Sequence, residues 1–312
     1  MLGLGVGAEY YGKTWDPKDI TGLKLWLKAY HGNTAAQWDD SSGNANHAVQ
    51  TDEFARAAVH AQGGLNFEGD GTVRSIDSTV NEEVDGSATV VIDQIVADKA
   101  KLGDLVTGGG LSAGDGVTVE AFPGDVNTFT ASEAVSISDG ATLTFTSTGH
   151  HYDLTSDVTI AANSNFIITM VVQMESYDSV NCILGKGANK FIDFQTGKKV
   201  RINCSGISST YTDASNQWPA GTKALISITR NNGSTGTLNV YKNGVLLGTP
   251  GVNGNNARAF EIEAIGVKDE GSPVRPYDGI ISSILIYDLV AESYTAEELQ
   301  DLHTYLLMVH EL

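Results

Sequence analysis

Thr237-Leu238-Asn239-Val240-Tyr241-Lys242-Asn243-Gly244-Val245-Leu246-Leu247-Gly248 is the stretch whose reading decides the fold. Two alternating apolar runs flank an Asn-Gly pair, the strongest short-range signal for a tight β-hairpin. Toward the C-terminus, Phe260-Glu261-Ile262-Glu263-Ala264-Ile265-Gly266 reads as a third strand. Tyr277-Asp278-Gly279-Ile280-Ile281-Ser282-Ser283-Ile284-Leu285-Ile286-Tyr287-Asp288 reads as a fourth, so continuously apolar that it belongs at the centre of a sheet.

Composition agrees with a sheet protein. The chain has 312 residues, enough for one large β-sandwich or a sandwich plus a small module, with 35 Gly, 6 Pro and short runs of Val, Ile, Leu and Ala. A formal net charge of −19, with 19 Lys and Arg in all, argues against nucleic acid and against an anionic membrane, since phosphate-binding surfaces need clustered cations. No run is apolar enough to span a bilayer, and the first residues lack the basic and apolar regions of a secretory leader. Cys182 and Cys204, each inside an apolar segment, read as buried reduced thiols of a chain folded in the cytoplasm.

Earlier in the chain, Gly22-Leu23-Lys24-Leu25-Trp26-Leu27-Lys28-Ala29 alternates, with Leu23, Leu25 and Leu27 on one face and the lysines and Trp26 on the other. Trp38-Asp39-Asp40-Ser41-Ser42-Gly43-Asn44-Ala45-Asn46-His47-Ala48 follows. These two stretches, with the Asn-Gly hairpin and the closing Tyr277–Asp288 strand, resemble laminin-G/concanavalin-A-like jelly rolls of phage and bacterial surface proteins. The expected fold is all-β, a concanavalin-A-like jelly-roll sandwich with an inserted small β-module and a C-terminal helix. Residues 1–18 read as an N-terminal arm, either a strap onto a neighbouring subunit or a segment lying along its own sandwich. Leu65-Asn66-Phe67-Glu68-Gly69-Asp70 matches the family's next strand, whose continuation waits until His150-His151-Tyr152-Asp153-Leu154. The sandwich is therefore assigned to 19–70 and 149–312 and the insert to 71–148, a surface site where a module with close termini is tolerated.

Within the insert, short alternating runs at 88–92, 104–107, 117–122, 128–131 and 141–145 are separated by Gly, Asp and Asn. Gly103–Gly114 with Val117-Thr118-Val119 resembles a small β-module of phage tail and surface proteins. After the insert, strands are expected at 166–174, 182–185, 191–194, 199–202 and 224–229. The last segment reads as a helix, Thr295 capping it with Glu298 three residues on, and Leu299, Leu302, Leu306 and Val309 forming its apolar stripe.

Several residues could carry chemistry. Glu261-Ile262-Glu263 resembles part of the acidic strand of concanavalin-like glycosidases, but the third acidic position falls on Ile265, and the pair reads as a solvated strand face. Glu82-Glu83-Val84-Asp85 lies in a turn-rich stretch. Gly108-Gly109-Gly110-Leu111-Ser112-Ala113 matches a dinucleotide fingerprint by letter, yet enters a strand where that motif needs a helix, and so reads as a turn. His150 and His151 face opposite ways on a strand and read as structural. His303 and His310 share a helix face two turns apart and are expected at the surface. The resemblance implies a structural calcium at Asp39 or Asp40 and at Asp278; the competing reading is that Asp39 and Asp40 cap a turn through their own backbone. A glycan platform of exposed aromatics would use Tyr177, Tyr211 and Trp218, although Trp218 before Pro219 equally suits a sandwich-edge plug.

The resemblance implies a non-enzymatic virion structural protein, a capsid decoration or tail-appendage subunit acting as a homo-oligomer with other capsid or tail subunits as partners. The alternatives are a carbohydrate-binding, lectin-like module of a surface protein and, behind it, a polysaccharide-cleaving enzyme.

Overall fold

The computed structural model describes residues 9–10, 13–28, 36–50, 56–60, 63–67, 75–92, 105–112, 117–121, 127–146, 150–175, 177, 180–187, 189–204, 208–213, 219–231, 237–250, 259–269, 273–290 and 293–312. Two antiparallel sheets of eight strands each face one another. The first, called here the helix-side sheet, runs in the order Val245–Gly248, Thr237–Lys242, Lys223–Asn231, Asn165–Met174, Gly279–Leu289, Leu65–Phe67, Ala58–Val59. Leu23–Leu27 also pairs with Gly279–Leu289, farther along the same edge as Leu65–Phe67. The far sheet runs Ser208–Thr212, Lys199–Cys204, Lys190–Gln195, Asn181–Lys186, Phe260–Ile265, Tyr152–Ile160, Ala48–Val49, Gln37–Trp38. The fold is all-β, a jelly-roll sandwich of two antiparallel sheets.

The decisive hairpin forms as its residues require. Asn243 and Gly244 take φ of 48° and 81°, the paired left-handed conformation of a tight hairpin turn. Asn243 adds a second function, because its side-chain oxygen accepts from Leu225 N at 2.9 Å and ties the turn to the neighbouring strand. Gly279–Leu289 is buried along its whole length, which explains its unbroken apolar sequence. Between the sheets lie Leu25, Leu27, Trp38, Phe67, Tyr152, Phe166, Ile168, Met170, Phe194, Val200, Ile202, Phe260, Ile262 and Ile284, among others.

One face assignment is corrected. Leu25 and Leu27 point between the sheets, but Leu23 packs on the outer side with Trp26. The register against Gly279–Leu289 shifts between Ile286 and Tyr287, where the Leu23–Leu27 strand carries one extra residue, and such a bulge reverses the alternation.

The strands from 75 to 146 pair with one another, in two three-stranded sheets of Leu105–Gly108, Thr142–Thr146, Ser75–Thr79 and of Val119–Ala121, Thr128–Ile137, Val84–Val91. Val80, Val90, Ile92, Val106, Phe129, Leu143 and Phe145 form a core of their own, with Phe129 and Phe145 edge to face at 5.2 Å. Gly108 and Leu111 exchange backbone hydrogen bonds of 3.0 and 2.9 Å, so the triple glycine is the turn its sequence suggested.

The C-terminal helix, Ala296–Val309, starts in a capping box: Thr295 Oγ1 accepts from Glu298 N at 3.0 Å, and Glu298 accepts from Thr295 N at 2.6 Å. Leu299, Leu302 and Leu306 pack on Trp26, Ile167, Val171, Leu225 and Leu285. Three side chains depart from expectation: Val309 is 46% exposed, whereas His303 and His310 are buried. Residues 299, 303, 306 and 310 fall at four, three and four residue steps, so both histidines lie in the buried stripe. Of the arm, Glu9–Tyr10 pairs with Lys13–Thr14. Trp15 then meets Tyr305 at 5.5 Å and Pro17 O accepts from Tyr287 at 3.0 Å, so this part lies along the molecule's own sandwich.

Candidate functional site

At the edge where the two sheets end, the Ser208–Thr212 strand of the far sheet approaches Val245–Gly248 of the helix-side sheet through Tyr211. The ring sits so close to Gly248 that a Cβ there would lie 2.9 Å from Tyr211 Cε2. Tyr177, in the connection after Asn165–Met174, packs on the same inter-sheet core. Both hydroxyls are pushed up from the usual tyrosine value, first by burial and then by the Asp213 carboxylate, that of Tyr177 to about 12. Two tyrosines and one acid are thus gathered at one sandwich edge: Asp213 follows Tyr211 in the same segment, and Tyr177 is brought to them from a connection far earlier in the chain. The void behind Tyr177, lined by Val172, Met174, Phe194 and Ala224, is about 10 Å³, room for about one water at most, so a ligand would sit outside it. Trp218, the third aromatic of the expected platform, lies outside the described residues.

The outward face of the far sheet is ionic. On Lys199–Cys204, Val200, Ile202 and Cys204 enter the core while Lys199, Arg201 and Asn203 point out. Asp193, fully buried on this outer face, is paired with Arg201, while Arg275 Nη1 lies 3.3 Å from its carboxylate. Burial pushes the Asp193 carboxyl up, against the arginines that pull it down. Phe191 beside it carries the Arg201, Lys268 and Arg275 cations at 4.6, 4.8 and 5.7 Å from its ring centroid. The sequence held a usable signal for this cluster. Asp193 is the lone charge in Phe191-Ile192-Asp193-Phe194, and Arg201 is its partner in register across the hairpin turn at Gly197.

Glu261 and Glu263 lie on the same face. Lys186 Nζ is paired with Asp157 and stands 3.7 Å from Glu261 and 3.6 Å from Glu263; Lys190 Nζ is 2.6 Å from Glu261. A glycosidase acid–base pair needs one carboxyl in an apolar pocket. Here both carboxylates rest against ammonium groups on a half-exposed strand, an ion-pair lattice.

The residues of the expected calcium site do not meet. Asp40 accepts from Trp26 N at 2.9 Å, Ser42 N at 2.8 Å, Ser42 Oγ at 2.7 Å and Asn46 N at 3.0 Å, which uses both carboxylate oxygens twice, three times within its own loop and once on the Leu23–Leu27 strand. Asp39 binds Gln37 Nε2 at 2.6 Å and stands 3.3 Å from His47 Nδ1. Leu27, which bridges to Asp40, pairs with Ile284, six residues along the strand from Asp278, a separation of roughly 20 Å. Asp278 instead donates its backbone N–H to Asn181. Among the described residues no three of His, Cys, Asp and Glu are grouped to hold an ion.

Cys182 and Cys204 are free and buried, and burial raises both thiols, that of Cys204 to about 12. His150 and His151 are half-buried, and Glu82, Glu83 and Asp85 are exposed. Among the described residues no helix is long and apolar enough to cross a membrane.

No protein-family model and no curated protein matches the chain. Solved structures similar to it include domain 4 of AbnA, a GH43 extracellular arabinanase from Geobacillus stearothermophilus in complex with arabinotriose. That domain is 14% identical over 90% of this chain and 98% of its own, with a TM-score of 0.41. The CBM40 of the Ruminococcus gnavus IT-sialidase, bound to α2,3 sialyllactose, is 12% identical over 45% of this chain and 83% of its own, with a TM-score of 0.35. The binding domain of botulinum neurotoxin serotype D is 10% identical over 92% of this chain and 51% of the matched chain, with a TM-score of 0.41.

Proposed function

We propose that the chain is a non-catalytic binding module that holds a glycan at the sandwich edge where Tyr177 and Tyr211 meet Asp213. The observation that carries this reading is the convergence of two half-buried aromatic rings on one carboxylate. A sugar offers apolar C–H faces for the half-exposed rings and hydroxyls for their phenolic oxygens, whose environment the buried Asp213 makes more negative, and the combination needs neither metal nor nucleophile. A glycan array probed with the whole chain tests it. Retention that falls at least tenfold in Tyr177→Ala and Tyr211→Ala, and persists in Glu261→Gln, supports the reading. Absence of retention on any glycan, or release of reducing ends that Glu261→Gln or Glu263→Gln abolishes, sinks it.

The second reading, a virion surface subunit in contact with copies of itself or with capsid or tail proteins, is favoured by the edge strand Val245–Gly248. Val245 and Leu246 there are 65% and 51% exposed, an apolar edge suited to a neighbouring subunit. Light scattering of the wild type beside Val245→Lys/Leu246→Lys measures it: an oligomer that the double variant dissolves favours this reading, and a monomer in both counts against it.

A further inference from the structure

We propose that the cleft between the C-terminal helix and the sheet beneath it is a second site, shaped for a small aromatic carboxylate. The cleft has a volume of about 210 Å³ and is lined by Trp26, Lys28 and Ser283 from the sheet and by Tyr305, Leu306, Val309 and His310 from the helix end. An apolar cavity of about 150 Å³ accepts benzene, so this one has room for a ring with a short side chain. It is too small for a sugar chain, which separates it from the tyrosine edge.

The chemistry of the lining narrows the class. Trp26 and Tyr305 meet edge to face at 6.4 Å and, with Leu306 and Val309, supply aromatic and aliphatic walls. Ser283 Oγ donates to Leu27 O at 2.8 Å, so its hydrogen is committed within the sheet. Among the described residues, the two lining the cleft that can carry charge, Lys28 and His310, are both basic, and no acid lines it. Lys28 Nζ is held 4.0 Å from the Trp26 ring centroid, so its charge stands at the aromatic wall of the cleft. Asp16 and Glu311 stand near the helix end but outside the lining, so the charge on the wall itself is that of Lys28. It favours an anion, disfavours an amine, and leaves a neutral ring between them.

The full chain titrated calorimetrically with phenylacetate, 2-phenylethanol and phenethylamine decides the matter. Phenylacetate is expected to saturate on the order of 1 mM, the range open to so small a ligand. It should bind about threefold to fivefold tighter than the alcohol, the scale of a partly exposed ion pair, with the amine weakest. Lys28→Gln should bring acid and alcohol level, and Val309→Trp, which fills the cleft from a half-exposed position, should remove all three. No saturable phenylacetate binding, binding that survives a folded Val309→Trp, or an acid preference unchanged in Lys28→Gln would each overturn the proposal. Because Lys28 is exposed and outside both cores, its variant decides the question even if Val309→Trp does not fold.

Discussion

On the outer face of the helix-side sheet the buried polar groups are neutral: Thr169 Oγ1 donates to Ser227 Oγ at 3.0 Å, Ser227 lies 2.9 Å from His303 Nε2, and Tyr294 donates to Thr229 at 2.8 Å. On the far sheet the buried polar centre is Asp193 between two guanidinium groups. The difference follows from what covers each face. A helix arrives with its own leucine stripe and needs only to have its few polar neighbours satisfied, which neutral hydrogen bonds do at small cost. The short hairpin Lys268–Asp269 with Pro273–Val274, followed by Arg275, brings little apolar surface, and charge pairing with cation–aromatic contacts takes its place.

The sharpest way to break this contrast is to remove one partner from the charged centre. Arg201→Met leaves a fully buried carboxylate without its hydrogen-bonded partner, facing only Arg275 and the more distant Lys268 charge, and denaturant unfolding should show a loss of about 3 kcal/mol. Asp193→Asn should cost about 1 kcal/mol, because the arginine side chains, 26% and 36% exposed, can turn to water and the buried charge is gone. Equal losses in the two variants would mean that the pair is held by packing and not by charge.

The neutral face is tested by pH. Burial lowers His303 to about 4 from an ordinary 6.5. The unfolded chain therefore binds a proton between those values that the folded chain refuses, so the stability this group contributes is complete above pH 6.5 and is lost as pH falls toward 4. A shift of that size amounts to about 3 kcal/mol. Unfolding curves at pH 7 and 4.5 for the wild type and His303→Gln isolate it, since carboxylates elsewhere act on both chains alike. The wild type should lose more on acidification; parallel losses would show that His303 is not the titrating group.

Next in size is the cap that fixes where the helix begins on its sheet. Thr295→Ala removes the acceptor for Glu298 N and should cost about 1 kcal/mol, read as a lower urea midpoint at unchanged slope.

These residues also mark what could be read from sequence. Asn243-Gly244, the apolar run to Tyr287 and the Thr295–Glu298 box are local signals, set by φ preference, period and capping, and the structure has each where those rules put it. Leu23 failed because a bulge is a register event between strands far apart in sequence, invisible to alternation within one of them. The burial of His303 and His310 is not visible in their polarity, although their spacing with Leu299 and Leu306 puts them inside. Tyr211 has Asp213 two residues on, but nothing local announces Tyr177 as the second ring beside that acid; only the folding of two distant segments onto one sandwich edge does so.

The smallest effect is expected where charge is plentiful but water is near. Lys186 is ringed by Asp157, Glu261 and Glu263, and three acids about one ammonium look stronger on paper than the Asp193 cluster. Its side chain is 30% exposed and Glu263 is 40% exposed, so solvent and salt screen the attraction and the freed carboxylates can rehydrate in place. Lys190 still neutralises Glu261 at 2.6 Å when Lys186 is gone. Lys186→Met should therefore cost less than about 1 kcal/mol, and that cost should shrink further in 0.5 M salt, whereas the Arg201→Met loss should barely respond. If the two losses proved equal and equally salt-sensitive, burial would not be what distinguishes the ionic centre of the far sheet from its ionic surface, and the contrast between hairpin-covered and helix-covered faces would lose its cause.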